Sequence, residues 1–193
     1  GTQQDNSAIS VPSRMFKGAI PYRECYTVGT SESGHIAVHP KNPNIIYSGA
    51  IGSSAGGGDS LLRYDHETRQ TRVVSVWPEL VWGLGVKDHK YRFQWTYPIT
   101  FSPHDSNILY VAANIIFRSD DEGTSWIAIS PDLTRNDITK MEAAGGPITL
   151  ETTAVEHYGT IFSFTESPHK PGVFWTGSDD GLVHISQNNG KTW

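Results

Sequence analysis

Two stretches of this 193-residue chain concentrate side chains that could do chemistry. Residues 131–158 carry Asp132, Asp137, Glu142, Glu151, Glu156, His157 and Tyr158, with Arg135 and Lys140 among them. Hydrolysis of a glycosidic bond needs two carboxyl groups about 5 to 10 Å apart, one kept protonated and the other ionised. Asp137, Glu151 and Glu156 are the candidates for such a pair, and Glu156-His157-Tyr158 stands just before an apolar strand. Residues 77–95 hold Trp77, Trp82 and Trp95, with Tyr91, Phe93, Asp88, His89 and Arg92 between them. An indole beside hydrogen-bonding groups suits a sugar, whose apolar face stacks while its hydroxyls find polar partners. Trp77, Trp82, Arg92, Trp95, His157 and Tyr158 are therefore the binding candidates. The same aromatics would equally fill the space between sheets, Trp95 above all. Arg92 would equally bridge to a carboxylate.

Other chemistries find little support. Cys25 is alone, so neither a disulfide framework nor a cysteine-based zinc site is expected. His39, His104 and His169 sit in or near equivalent turns and read as turn formers before metal ligands; no metal or cofactor is expected. Residues 52–60, GSSAGGGDS, lack the Gly-Lys-Ser/Thr ending of a phosphate loop. There is no Gly-x-Ser-x-Gly elbow. Asp179-Asp180-Gly181 reads as tight-turn chemistry. A net charge of -5 without a Lys/Arg run argues against a nucleic-acid surface. The run from Ile108 to Phe117 is too short to span a bilayer and is broken by Asn114.

The elements that must position these residues are short strands. Nineteen Gly and eleven Pro, with six Trp, eight Tyr and seven Phe against two Met, favour strands joined by tight turns. Three segments align: HPKNPNIIYSGA from His39, SPHDSNILYVAA from Ser102 and SPHKPGVFWTGS from Ser167. Pro40, Pro103 and Pro168 fall in register, as do Tyr47, Tyr110 and Trp175, at separations of 63 and 65 residues. SDDEGTSW (Ser119 to Trp126) and SQNNGKTW (Ser186 to Trp193) repeat 67 apart. A fixed long period filled with strands predicts blades of a β-propeller. The fold expected is all-β, with four antiparallel strands per blade and about three blades present.

Strands are predicted at 36–38, 45–50, 61–64 and 71–76 in the first unit. The second unit has them at 99–101, 108–112, 115–118 and 126–129, and the third at 161–165, 173–176 and 182–185. Residues 1–34 read as a polar lead-in with room for a strand of a neighbouring blade. The units are then 35–76, 77–129 and 130–193. In such a blade the first and third turns share one face. The long stretches 51–60, 77–95 and 131–158 gather on the other, where function is expected.

SDDEGTSW fits Ser-x-Asp-x-Gly-x-Thr/Ser-Trp, the Asp-box or bacterial neuraminidase repeat. Asp121 is expected to accept from turn amides, Gly123 to supply a positive φ, Ser119 to tie the strand end and Trp126 to pack between sheets. Ser186, Asn188, Gly190 and Trp193 repeat the pattern, with Asn188 at the acidic position. From about residue 15 onward the chain resembles the large bacterial Asp-box or sortilin-type propeller proteins called glycosyl hydrolase-like. Residues 91–137 and 177–193 carry that likeness. The resemblance implies an extracellular or periplasmic propeller, often one of two in a longer chain, in which the box residues are structural and not catalytic.

Xyloglucan-cleaving enzymes and sialidases share the repeat. A sialidase needs three converging Arg and a Tyr/Glu pair, and the Arg-Ile-Pro entry motif is missing here. The function expected is binding of a glycan or protein ligand through the long-loop face. Alternatives are a xyloglucanase-like glycoside hydrolase and a structural or assembly scaffold. About three blades fall short of the four to eight that close a propeller. The remaining blades are expected from the rest of a longer chain or from another subunit.

Overall fold

The computed structural model describes residues 1–3, 6–16, 18–29, 34–50, 60–79, 81, 83–94, 96–150 and 157–193. Among these, the strands form four antiparallel sheets that follow one another along the chain. The first sheet is β1 (Thr2–Gln3), β2 (Ser7–Ser10) and β3 (Tyr26–Thr27). The second is β4 (Ile36–Val38), β5 (Ile45–Ala50), β6 (Ser60–Asp65) and β7 (Gln70–Val73). The third is β8 (Ile99–Phe101), β9 (Leu109–Ala112), β10 (Ile116–Ser119) and β11 (Ile127–Ala128). The fourth is β12 (Ile161–Glu166), β13 (Phe174–Ser178) and β14 (Val183–Ser186). Strand order in each follows the chain. This is an all-β, open run of propeller blades.

Burial explains why each strand has its composition. All four residues of β9 are buried, because a central strand covered on both faces selects a continuous apolar run. All four residues of β7 are exposed, and its Gln-Thr-Arg-Val fits an outer strand with one wet face. Tyr47, Leu61 and Ile45 pack against Ile99, Leu109, Val111 and Phe117, which joins the second sheet to the third. Tyr110, Ala112 and Ile116 pack against Ile161, Phe164 and Phe174, which joins the third to the fourth.

The Pro-containing turns repeat at the level of individual bonds. His39, Ser102 and Ser167 each donate their amide across the turn to Ile45, Ile108 and Val173. Each also caps the turn with its side chain: His39 Nδ1 accepts from Asn42 at 3.0 Å, Ser102 Oγ from His104 at 3.2 Å and Ser167 Oγ from His169 at 3.2 Å. The second position of His104 is used as well, since Nε2 lies 2.8 Å from the Ser167 carbonyl and joins two neighbouring turns.

The two box hairpins are built alike. Gly123 donates to Ser119 Oγ at 2.8 Å and Gly190 to Ser186 Oγ at 2.9 Å. Asp121 Oδ1 accepts from the Ser125 amide at 2.9 Å, and Asn188 Oδ1 from the Thr192 amide at 3.0 Å. The Ser125 hydroxyl leads the bonds that hold the Asp121 carboxyl down at about 2. Each box also reaches back to the preceding sheet. The Trp126 indole N–H donates to the Val74 carbonyl at 2.9 Å, and that of Trp193 to the Ile129 carbonyl at 3.3 Å.

The second sheet has no such box. Its short turn after β6 docks on the first sheet by stacking His66 on Tyr26, with ring centroids 4.0 Å apart. Within the polar lead-in, Thr2–Gln3 and Ser7–Ser10 pair as strands. Ala8 and Val28 are buried against Ile46 and Tyr64, and that contact organises a three-stranded sheet.

Candidate functional site

The long crossings meet at a buried ion pair. Arg92 Nη2 donates to Asp132 Oδ2 at 2.8 Å and to Thr134 Oγ1 at 2.9 Å, while its Nε donates to the Gly159 carbonyl at 2.9 Å. Asn114 completes the junction: its Oδ1 accepts the Arg92 amide at 3.0 Å and its Nδ2 donates to Asp132 at 2.9 Å. Burial works against ionisation of Asp132. The bonds from Thr134, Asn114 and Arg92 outweigh it and hold the carboxyl below its usual range. Arg92, a binding candidate by sequence, is committed here to the bridging alternative.

Two residues assigned only to turn chemistry carry much of the site. Asp179 accepts the Gly159 and Thr160 amides, each at 3.0 Å, and the Thr160 hydroxyl at 3.0 Å. Asp180 accepts the Arg135 amide at 2.6 Å and gives its carbonyl to Arg135 Nε at 2.9 Å. Asn114 and Asp179 play one role in consecutive sheets. Each sits in the turn between the second and third strands and captures the backbone arriving at the first. Asn114 interrupting an apolar run was the signal in the sequence.

The crossings also carry several rings. Trp77 is 42% exposed; its indole N–H donates to Glu79 at 3.2 Å, and Lys90 Nζ stands 3.3 Å over the ring centroid. Glu79 also accepts the Lys90 amide at 3.2 Å. Next in the chain, the buried His89 meets the buried His157 edge-to-face with centroids 4.8 Å apart. Tyr158 follows, with Lys140 Nζ at 5.4 Å from its ring. Of the binding candidates, Arg92 reaches the Gly159 carbonyl just after His157 and Tyr158, while Trp77 is held separately by Glu79 and Lys90. Tyr91 and Phe93 turn into the core instead, where both pack on Phe117. Trp82, Trp95, Glu151 and Glu156 lie outside the described residues.

Asp137 caps a 3-10 turn, Ile138–Lys140, and accepts from the Thr139 hydroxyl at 2.6 Å and its amide at 3.1 Å. The Thr139 hydroxyl is the main reason that its carboxyl sits below the usual range. Such a group is ionised at neutral pH, so it fits a base or nucleophile and not a proton donor. Glu142 pairs with Lys87 at 2.6 Å across an exposed surface. Among the described residues no three His, Cys, Asp or Glu side chains cluster as a metal would require. Among the same residues no helix is long and apolar enough to cross a membrane.

Burial is the chief cause that pushes the His89 imidazole below its ordinary value of 6.5, against the opposing pull of Glu79 and Asp88. The unfolded chain then takes up this proton first as the pH falls. Stability is full above 6.5 and declines from there toward the lower folded value. Urea unfolding from about pH 8 to about pH 5 is expected to show that decline, and His89→Phe to make it shallower. An equal slope in the variant would remove His89 as its source.

No family model matches the chain, and no curated protein matches it. Among solved structures it is similar to the crystal structure of the GH74 xyloglucanase from Xanthomonas campestris, at 16% identity and a TM-score of 0.49. That match covers 82% of this chain and 22% of the enzyme, so the chain spans about a fifth of that protein's length.

Proposed function

We propose that this chain is a segment of a secreted bacterial Asp-box propeller that recognises a glycan through its long-loop face. The observation that carries the reading is the Trp77 platform. An exposed indole is fixed by its own N–H to Glu79 and flanked by the Lys90 ammonium. One ring face is occupied by Lys90, which leaves the opposite face for a sugar ring, with Lys90 and Glu79 in reach of hydroxyls. Tyr158 with Lys140 offers a second ring of the same kind.

Of the three carboxylates named as catalytic candidates, the described one, Asp137, does not suit the role of proton donor. Despite the burial of Asp132, the hydrogen bonds to it and to Asp137 hold both carboxyls below their usual range. A proton donor for a leaving group needs the opposite, a carboxyl held neutral.

The test is calorimetric titration of the full chain with β-glucan and xyloglucan oligosaccharides, with product release followed in parallel. Trp77→Ala is expected to weaken binding at least about tenfold while changing stability by no more than about 0.5 kcal/mol. Product release that disappears in Asp137→Asn would instead establish a hydrolase. Neither binding nor release with any glycan would overturn the proposal and leave the scaffold alternative.

A further inference from the structure

We infer that the loop joining β2 to β3 is a membrane-docking prong, which seats this chain on an anionic lipid surface by placing aromatic side chains among the headgroups. The fold does not require so long a connection. The loop takes up residues 11–25, whereas the turn between β6 and β7 needs only residues 66–69. Its large apolar side chains find no core. Phe16 is 99% exposed and Tyr22 89%, and Val11 and Ile20 are exposed as well. Apolar residues scattered singly over a surface are ordinary, but a group of them in one loop marks a contact site.

The backbone shapes this loop into a prong. Met15 bridges Gly18 in antiparallel fashion, which closes a tight hairpin with Phe16 in its turn. The φ of +97 at Gly18 lets the chain reverse there. Further on, the 3-10 turn Tyr22–Glu24 fixes the second ring, with the Cys25 amide donating to the Tyr22 carbonyl at 2.9 Å. At the foot of the loop Tyr26 is stacked on His66, which roots the prong on the second sheet.

Charge says what the prong meets. The chain carries 20 acidic and 15 basic residues, yet residues 11–25 carry three basic and one acidic. The Arg14 guanidinium stands 5.9 Å from the Phe16 ring centroid, and the Arg23 side chain, next to Tyr22, is 81% exposed. Glu24 lies 3.4 Å from Arg23, an exposed contact that water screens. Arg69 adds a cation at the foot, 5.9 Å from the Tyr26 ring. Rings flanked by arginines suit the headgroup layer, where the ring is buried and the guanidinium finds phosphate. A protein partner would need a pocket cut to the ring, whereas a bilayer accepts a convex tip without one. None of these residues belongs to the crossings around Trp77 and Tyr158, so the inference stands apart from the glycan reading.

The test is co-sedimentation of the full chain with vesicles of phosphatidylcholine alone, and with vesicles in which about one-third is phosphatidylglycerol. Binding is expected to the second kind and not the first, and it should weaken as salt rises. Phe16→Ser combined with Tyr22→Ser should lower the affinity at least about tenfold. The unfolding midpoint should stay the same, because neither ring is part of a core. Arg14→Gln and Arg23→Gln should each lower the affinity roughly fivefold. Phe16→Trp should keep binding, and brominated acyl chains should quench its emission beyond that of the original chain. Absence of binding to the anionic vesicles would overturn the inference. Binding that the serine pair leaves unchanged would overturn it too, since the contact would then be one of charge alone. Binding to dextran sulfate but to no vesicle would do so in favour of an acidic polymer. Protection of Phe16 from hydroxyl radicals that grows with protein concentration would do so in favour of a second copy.

Discussion

Arg92→Met is expected to lower the unfolding free energy by about 3 kcal/mol, at the lower end of what breaking a buried ion pair costs. The reason is what the substitution leaves behind. Asp132 would keep its charge without its cation, and the Gly159 carbonyl would lose its donor. The lower end applies because the Asp132 side chain is 27% exposed and water can compensate it in part. Arg92→Lys is expected to recover only a fraction, since one ammonium cannot replace bonds made by both Nε and Nη2 in a fixed plane. A useful contrast is Glu142→Gln. The Lys87–Glu142 contact is shorter, at 2.6 Å, yet both side chains are exposed. Exposed pairs contribute little, so that change should stay within about 0.5 kcal/mol. Urea midpoints of the three variants check the ranking. A loss for Glu142→Gln that matches Arg92→Met would show that bond length, and not burial, sets the cost.

Gly190→Ala is expected to be comparably damaging, by about 3 kcal/mol, although it adds a single methyl group. Gly190 has φ +81, and a Cβ there would run into the Ile129 carbonyl oxygen of the preceding sheet. That oxygen also accepts the Trp193 indole N–H, so moving it aside would loosen the box from its dock. Gly181→Ala supplies the control. Its φ is +88, but a Cβ there meets nothing within 4 Å. It should carry only the backbone penalty of a left-handed residue, about 1 kcal/mol. Gly123→Ala falls between, because its Cβ would come within 3.0 Å of the Val74 Cβ, a milder overlap than the one with the Ile129 oxygen. Equal losses at Gly181 and Gly190 in thermal unfolding would refute the steric account.

What was legible in the sequence was whatever repeats or acts locally. The three Pro turns, the register of Tyr47, Tyr110 and Trp175, and the bonding inside both boxes depend on residues a few positions apart. Their types state the geometry directly. The predicted strands match the observed ones to within a few residues; the largest difference is β7, which stops at Val73 where 76 was expected. Beyond Val73 the pairing with β6 changes kind. The Val74 amide still donates to the Leu61 carbonyl, but the Leu61 amide is taken by the Ser75 hydroxyl in place of a backbone carbonyl. The Val74 carbonyl accepts the Trp126 indole N–H.

The site was only half legible. Trp77, His157 and Tyr158 stood out by type, and each has a charged or aromatic partner: Lys90 over Trp77, His89 against His157 and Lys140 near Tyr158. Asn114 and Asp179 stood out only as a break in an apolar run and as a turn residue, because what matters about them is backbone that arrives from 22 and 20 residues away. The first sheet escaped for a related reason. Its strands are two to four residues long, and they are held by burial of Ala8 and Val28 on the second sheet, not by any pattern of their own.

The indole clamps have a consequence for how the chain comes apart. Each box grips only the sheet before it, so the coupling runs between nearest neighbours, as in a one-dimensional array. Opening should start at an end and travel inward as a fraying front. The third sheet is clamped through Trp126 and itself receives Trp193, so it would be the last to melt. Amides of β9 should then exchange with solvent more slowly than those of any terminal strand. The four sheets would behave as a zipper with its strongest teeth in the middle.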